Sequence, residues 1–202
     1  MARLGLGTVK TRMTPQLALK YLWVIWFVSW LAAAFWADRT AKRPAFGSEL
    51  LYRVVTLAGA ALLFGSTTRP NGGPLRLWSV GGDVAWALVA VCVAGFVFCW
   101  WARIHLGKLW SGWITRKEGH RIVDTGPYGM VRHPIYTGLI VSLLATAVVE
   151  GTGMALLGAA IMILGFWIKA RLEERFLCEQ LGADNYGAYR RRVPMLVPFG
   201  PI

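Results

Sequence analysis

Two short stretches hold most of the reactive side chains. The first ends in Asp124-Thr-Gly-Pro-Tyr-Gly-Met-Val-Arg-His-Pro-Ile-Tyr136. Gly126, Pro127 and Gly129 read as a turn around Tyr128, and Pro134 suits the first turn of a helix, where its missing N–H is not needed. Arg132 and His133 then stand at the helix start, where unpaired backbone N–H groups and the positive end of the dipole favour an anion. Tyr136, three residues beyond His133, comes close to it around the helix. The second stretch is Lys169-Ala-Arg-Leu-Glu-Glu-Arg-Phe-Leu177, followed beyond Gly182 by Tyr186-Gly-Ala-Tyr189-Arg-Arg-Arg-Val-Pro194. An imidazole, two carboxylates, phenols and cations together can grip a small charged molecule, and His133 or a glutamate can take up a proton.

Each of these residues has a plainer use when taken alone. Arginines at a membrane boundary anchor topology, as Arg190, Arg191 and Arg192 would. A His-Pro pair can simply begin a helix, and adjacent glutamates such as Glu173 and Glu174 can solvate one. Arg53, inside an apolar block, can snorkel or pair within a bundle, although an intramembrane charge is a functional hint by default. The order of all of them along one chain is the informative feature.

The elements that must position these groups are membrane helices. Hydrophobic residues make up 56% of the 202 and charged residues only 16%, where a soluble domain carries about a quarter. Five apolar segments can be read, at 16–36, 50–65, 84–102, 134–149 and 153–168, against the roughly 20 residues that a spanning helix needs. The segment at 50–65 is the shortest of the first three and carries Arg53. The eleven tryptophans, several of them near segment ends, suit the aromatic belts of a bilayer. The expected fold is an all-α integral membrane helical bundle of about five transmembrane helices with a cytosolic C-terminal segment. It reads as a single membrane domain over 1–202, with N-terminal spans in 1–102 and a cofactor-binding loop, helical hairpin and tail in 103–202. Residues 67–74, rich in Gly and Pro, read as a turn. The basic N-terminus leads into an apolar block too long for a cleavable signal.

Only Glu150-Gly151-Thr152 separates the last two segments, so their helices must be antiparallel neighbours. Gly153, Ala155, Gly158 and Ala159 would let the two backbones approach closely. This hairpin turns forty residues of sequence into proximity, bringing His133 and Glu174 to one membrane face. With five spans and the C-terminus inside, fifteen Lys and Arg fall on cytoplasmic loops and six outside. A four-span alternative divides them about as unevenly and still leaves 103–132 and the tail on one side.

The net charge of +12 follows from these loops, which meet anionic lipid, and no free basic domain remains for nucleic acid. Cys92 and Cys99 share a helix face roughly 10 Å apart, too far for a disulfide, and Cys178 stands alone. No Cys/His metal spacing occurs, so no metal is expected.

Gly126-Pro-Tyr-Gly-Met-Val-Arg-His-Pro-Ile-Tyr-Thr-Gly138, a hairpin, Glu173-Glu174-x-x-Leu177 and Tyr186-x-x-Tyr189-x-x-x-Val193-Pro194 with Pro198 resembles the isoprenylcysteine carboxyl methyltransferase family. It is also similar to the wider group that includes phospholipid N-methyltransferases. The resemblance covers 119–198, and residues 1–100 match only in being helical spans. It implies S-adenosylmethionine at the cytosolic face, with Gly126, Tyr128, Arg132, His133, Tyr136, Glu173, Tyr186 and Tyr189 as cofactor-binding candidates. Lys169, Arg171 and Glu174 are the catalytic candidates, the first two as the basic residue that orients an acceptor. The acceptor it implies is lipidic or prenylated, most simply a carboxylate. If the family's arginine falls on Lys169, a bidentate grip on that carboxylate becomes a point charge.

An activated sulfonium methyl asks the protein mainly to align the acceptor in line and exclude water. A carboxylate acceptor needs no base, whereas an amine or thiol would use one, a glutamate or His133. A groove between helices could admit a lipidic acceptor sideways while the polar cofactor enters from the cytosol. The nearest rival is an NADPH-dependent membrane sterol-type reductase, which is similar across Arg-His-Pro-x-Tyr and the closing tyrosines. Adjacent glutamates would repel a dinucleotide phosphate and attract a sulfonium. A bundle without enzymatic activity would tolerate His133→Ala.

Overall fold

A computed structural model describes residues 13–34, 40–42, 46–66, 76–107, 110, 116–117 and 122–201. In chain order the elements are α1 (Pro15–Ala34), β1 (Thr40–Lys42), α2 (Phe46–Ser66), α3 (Gly82–Leu106), β2 (Arg116–Lys117), α4 (Pro127–Met130), α5 (Pro134–Glu150), α6 (Gly153–Leu181) and α7 (Ala183–Arg190). The chain is a multi-pass membrane protein built as an all-α bundle. The two strands form only a short antiparallel ribbon, Thr40 opposite Lys117.

All five apolar segments are helices. Pro15–Ala33, Gly82–Leu106 and Gly153–Gln180 are long and apolar enough to cross a bilayer, and Pro134–Glu150 is a shorter apolar helix. α2 runs 21 residues and holds Arg53 through an ion pair with Glu49 one turn earlier, so its charges are neutralised within the helix. The turn expected at 67–74 lies outside the described residues.

The bundle is organised by two close helix crossings. α2 packs along α6 and α3 along α5. A Cβ built on Gly95 of α3 would stand 2.6 Å from the carbonyl oxygen of Gly138, and one on Gly138 would stand 2.7 Å from Cys99 Sγ. The α2–α6 crossing is equally tight, with Gly59 and Gly158 facing each other's carbonyl oxygens at 2.7 Å from such a Cβ. Small residues replace side-chain bulk with backbone contact where lipid supplies no hydrophobic drive between helices. Gly158 therefore serves the packing of α6 on α2, whereas the sequence pattern suggested the hairpin partner α5. Ala155 and Ala159 lie between, in a buried cluster with Leu63 of α2 and Leu143 and Ala147 of α5. A second cluster joins Leu19 of α1, Val89, Cys92, Phe96 and Cys99 of α3, and Leu139 and Val149 of α5.

The hairpin is closed by local chemistry. Gly151 takes a left-handed conformation (φ 64°) that ends α5, and the Thr152 side chain accepts the Ala155 N–H at 3.1 Å to start α6. On the same side Leu77 N–H donates to Gly151 O (2.7 Å) and Trp78 Nε1 to Val148 O (3.0 Å), tying the chain before α3 across the hairpin. The opposite ends of α5 and α6 are thereby held side by side. α6 continues beyond its apolar stretch to Leu181, and Glu173 and Glu174 lie on this extension.

Candidate functional site

Four segments meet where α5 begins. One turn of helix, α4, is entered through Gly126 (φ 56°), whose added Cβ would strike the His105 ring. Val131 follows in extended form, the chain bends at Arg132, and His133 caps α5. Segment 193–196 then lies against this start. Arg132 N–H donates to Pro194 O (2.8 Å), His133 N–H to Met195 O (3.1 Å), and the Thr137 hydroxyl to Leu196 O (2.6 Å). The backbone of 194–195 thus accepts the two N–H groups that directly precede α5. Tyr189, on α7, donates its hydroxyl to Tyr128 O at 2.7 Å and so closes α7 onto α4.

Two carboxylates are aimed into this junction from α6. Glu174 Oε1 accepts Arg132 Nε–H at 2.6 Å and lies 3.3 Å from His133 Nε2. Its Oε2 stands 3.4 Å from Arg190 Nε as an ion pair but makes no hydrogen bond, although the side chain is 3% exposed. The Arg132 guanidinium also donates to the carbonyls of Arg190 and Val193. Glu173 Oε1 accepts the Tyr136 hydroxyl (2.9 Å) and faces Lys169 Nζ (3.8 Å), while Oε2 lies 3.6 Å from His133 Nδ1. The His133 and Tyr136 rings stack at 5.4 Å, and Tyr136 stacks in turn on Phe166 at 5.5 Å. The result is a half-dry cluster in which two anions are shared among three cations, an imidazole and a phenol.

The residues singled out in the sequence divide by position. Arg132, His133, Tyr136, Lys169, Glu173 and Glu174 come together at one point. Tyr186 and Tyr189 pack beside it with Val193, and burial pushes both phenols above their usual range, the carboxylate of Glu174 adding to the effect on Tyr186. Both therefore remain protonated donors. Gly126 and Tyr128 lie against His105 instead, the Tyr128 ring 6.4 Å from the imidazole. Arg171 turns away, its guanidinium over the Trp167 ring, because two residues along a helix carry it about 200° round from Lys169.

Three contributors were not visible in the sequence. Tyr52 of α2 presents its ring 5.5 Å from Lys169 Nζ, matching Tyr136 at 5.5 Å from the same atom, so the ammonium has aromatic faces as well as Glu173 near it. Phe166 supports Tyr136 from below. Arg192 reaches Asp124 at 3.3 Å and fastens the tail to the loop before α4. For Phe166 the helical spacing to Lys169 and Glu173 was a usable signal. Tyr52 had none, since only the α2–α6 crossing brings it here.

The arrangement can bind a small zwitterion, offering carboxylates to its cationic part and arginines to its anionic part. Among the described residues no group of His, Cys, Asp and Glu is placed to hold a metal ion. Sequence comparison adds a family. The model of the isoprenylcysteine carboxyl methyltransferase (ICMT) family matches residues 87–179, which take in most of α3, α4, α5 and most of α6. Methanethiol S-methyltransferase 1 of Bradyrhizobium diazoefficiens is 33% identical, over 62% of this chain and 47% of the relative. Protein-S-isoprenylcysteine O-methyltransferase of Schizosaccharomyces pombe is 32% identical, over 50% of this chain and 43% of its own length. Cobalt-zinc-cadmium resistance protein CzcN of Cupriavidus metallidurans is 27% identical, over 72% of this chain and 60% of its own. The chain spans about half the length of the curated methyltransferases it matches. The resemblance carried by the motifs is thus shown across the hairpin half of the molecule.

Proposed function

We propose that this chain, whose residues 87–179 carry the isoprenylcysteine carboxyl methyltransferase pattern, is an S-adenosylmethionine-dependent methyltransferase acting on a lipidic, prenylated or thiol acceptor at the cytosolic membrane face. The observation that carries the reading is the pair Glu173–Glu174, brought by α6 onto His133, Arg132, Tyr136 and Lys169. The donor set fits the cofactor: Glu174 keeps an oxygen without a hydrogen bond, and Arg190 is 42% exposed beside it. Carboxylates attract a sulfonium and an ammonium, and arginines grip a carboxylate. When bound, S-adenosylmethionine supplies an electrophilic methyl group.

The chain's own residues do the rest. Glu173 and Glu174 hold positive charge, and Arg132 fixes Glu174 in place. Tyr136, stacked between His133 and Phe166, gives the site a rigid aromatic wall. Lys169 is the cation nearest a lateral acceptor, between Tyr52 of α2 and Tyr136 of α5. A thiolate or a carboxylate can pair with its ammonium as with a point charge, without the bidentate grip that a guanidinium would give a carboxylate. The cytosolic assignment is supported by charge among the described residues: Arg103, Arg132, Arg171, Arg175 and Arg190–Arg192 gather at this end, against Lys20 and Arg76 at the other.

The test is calorimetric titration of the detergent-purified protein with S-adenosylmethionine, S-adenosylhomocysteine and NADPH, followed by methyl transfer to a prenylated cysteine and to a small alkyl thiol. Micromolar binding of the sulfonium and its demethylated product, lost in His133→Ala and Glu174→Gln, is the expected result. Binding of NADPH alone, or of none of the three, would overturn the reading.

A further inference from the structure

The segment that crosses the start of α5 does not end in a buried position. Thr137 binds Leu196 O one helical turn inside α5, so residues 197–199 emerge beside the first turn of an apolar helix. There Val197 is 64% exposed and Phe199 98% exposed, the most exposed large apolar side chain among the described residues. Phe199 also holds φ at 60°, a left-handed conformation that is strained for a bulky residue. Gly200 N–H returns to Val197 O at 2.9 Å and closes the turn that presents it. An aromatic ring held out by a strained turn is poorly explained by contact with water alone.

Its surroundings define what would cover it. The level of the first turn of α5 is the level of Glu173 and Glu174 on α6, where that helix passes from apolar to charged residues. Arg190, Arg191 and Arg192 directly precede the segment, and Arg191 and Arg192 are exposed. Basic residues beside projecting apolar ones at a hydrocarbon boundary are the pattern of an interfacial anchor on anionic lipid.

We propose that Val197 and Phe199 insert into the headgroup–acyl boundary of the bilayer, with the exposed Arg191 and Arg192 against anionic headgroups. The same segment supplies the carbonyls that hold the backbone of Arg132 and His133, so membrane contact braces the site through residues 194–196. This inference is independent of the reaction the site performs.

The test uses the full chain in nanodiscs of mixed zwitterionic and anionic phospholipid. Cys178→Ser removes the half-buried thiol, while Cys92 and Cys99 are fully buried and escape labelling. A spin label is placed at Phe199→Cys, and at Asn185→Cys on the exposed face of α7 as an aqueous reference. Circular dichroism of each labelled variant, matching that of the unlabelled protein, establishes folding before the accessibility measurement. Relaxation by oxygen exceeding that by a water-soluble nickel chelate at 199, with the reverse at 185, is the expected result. Equal accessibility at the two positions would overturn the proposal, as would dipolar broadening at 199 that reports a second copy of the chain.

Discussion

Arg132 and Glu174 are separated by 42 residues in sequence and by 2.6 Å in space, with 5% and 3% of their side chains exposed. The pair ties the start of α5 to the extension of α6 beyond its apolar stretch. It also recruits the tail, because the same guanidinium donates to the carbonyls of Arg190 and Val193. One planar cation thus holds three segments, and only a guanidinium has donors enough, in fixed directions, to do so.

Removing one partner of such a pair leaves a buried charge without compensation. Arg132→Ala and Glu174→Gln should each destabilise the protein by about 3–5 kcal/mol, read from unfolding in mild detergent. Arg132→Lys keeps the charge but cannot reach Glu174 and both carbonyls together, and should recover only part of the loss. A thermal midpoint unchanged by Arg132→Ala would show that the junction is not held this way.

The buried phenols set an alkaline limit. Burial raises the folded-state values of Tyr186 and Tyr189 above the unfolded value of about 10. A raised value means stability fully present below pH ~10 and lost as pH climbs above it, because the unfolded chain releases those protons first. The unfolding midpoint should be flat from neutrality to that point and then fall. Tyr186→Phe should flatten the fall, while Tyr189→Phe should also cost about 1 kcal/mol at neutral pH through loss of its bond to Tyr128 O.

The two helix crossings should respond sharply to a single methyl group. Gly59→Ala and Gly95→Ala place a Cβ within 2.7 Å and 2.6 Å of facing carbonyl oxygens, on Gly158 and Gly138. Each should lower stability by about 1–3 kcal/mol. Gly65→Ala meets nothing within 4 Å and should be neutral or stabilising by up to about 1 kcal/mol, since alanine is the better helix former. Equal effects at Gly59 and Gly65 would contradict the α2–α6 contact.

What the sequence revealed follows a physical line. Apolar length gave the helices, and the three residues between the last two apolar segments forced the hairpin that joins His133 to Glu174. Both signals are local or nearly so. The partner of Gly158 was misjudged because a small-residue pattern says that a backbone approaches and not whose backbone it is. Tyr52 was missed for the same reason, as it reaches Lys169 only through the crossing of α2 on α6. The carbonyls of Pro194 and Met195 that cover the start of α5 belong to the backbone, which carries no residue signature.

The choice between Lys169 and Arg171 is the sharpest case, because the sequence admits both and the helix admits one. Lys169 lies 3.8 Å from Glu173 with 15% of its side chain exposed, whereas Arg171 leans over Trp167 on the far side. If the cation at this site orients the acceptor, Lys169→Gln should lower kcat/KM at least about tenfold, the value of one charge-assisted contact. Arg171→Gln should leave it within about twofold, as a surface charge does. Lys169→Arg then separates acceptor classes. A guanidinium fork matches the two oxygens of a carboxylate and gains nothing from a single sulfur. Methyl transfer to a prenylated cysteine carboxylate should therefore be retained or improved in Lys169→Arg, while transfer to an alkyl thiol falls. A loss in Arg171→Gln equal to that in Lys169→Gln would place the acceptor elsewhere.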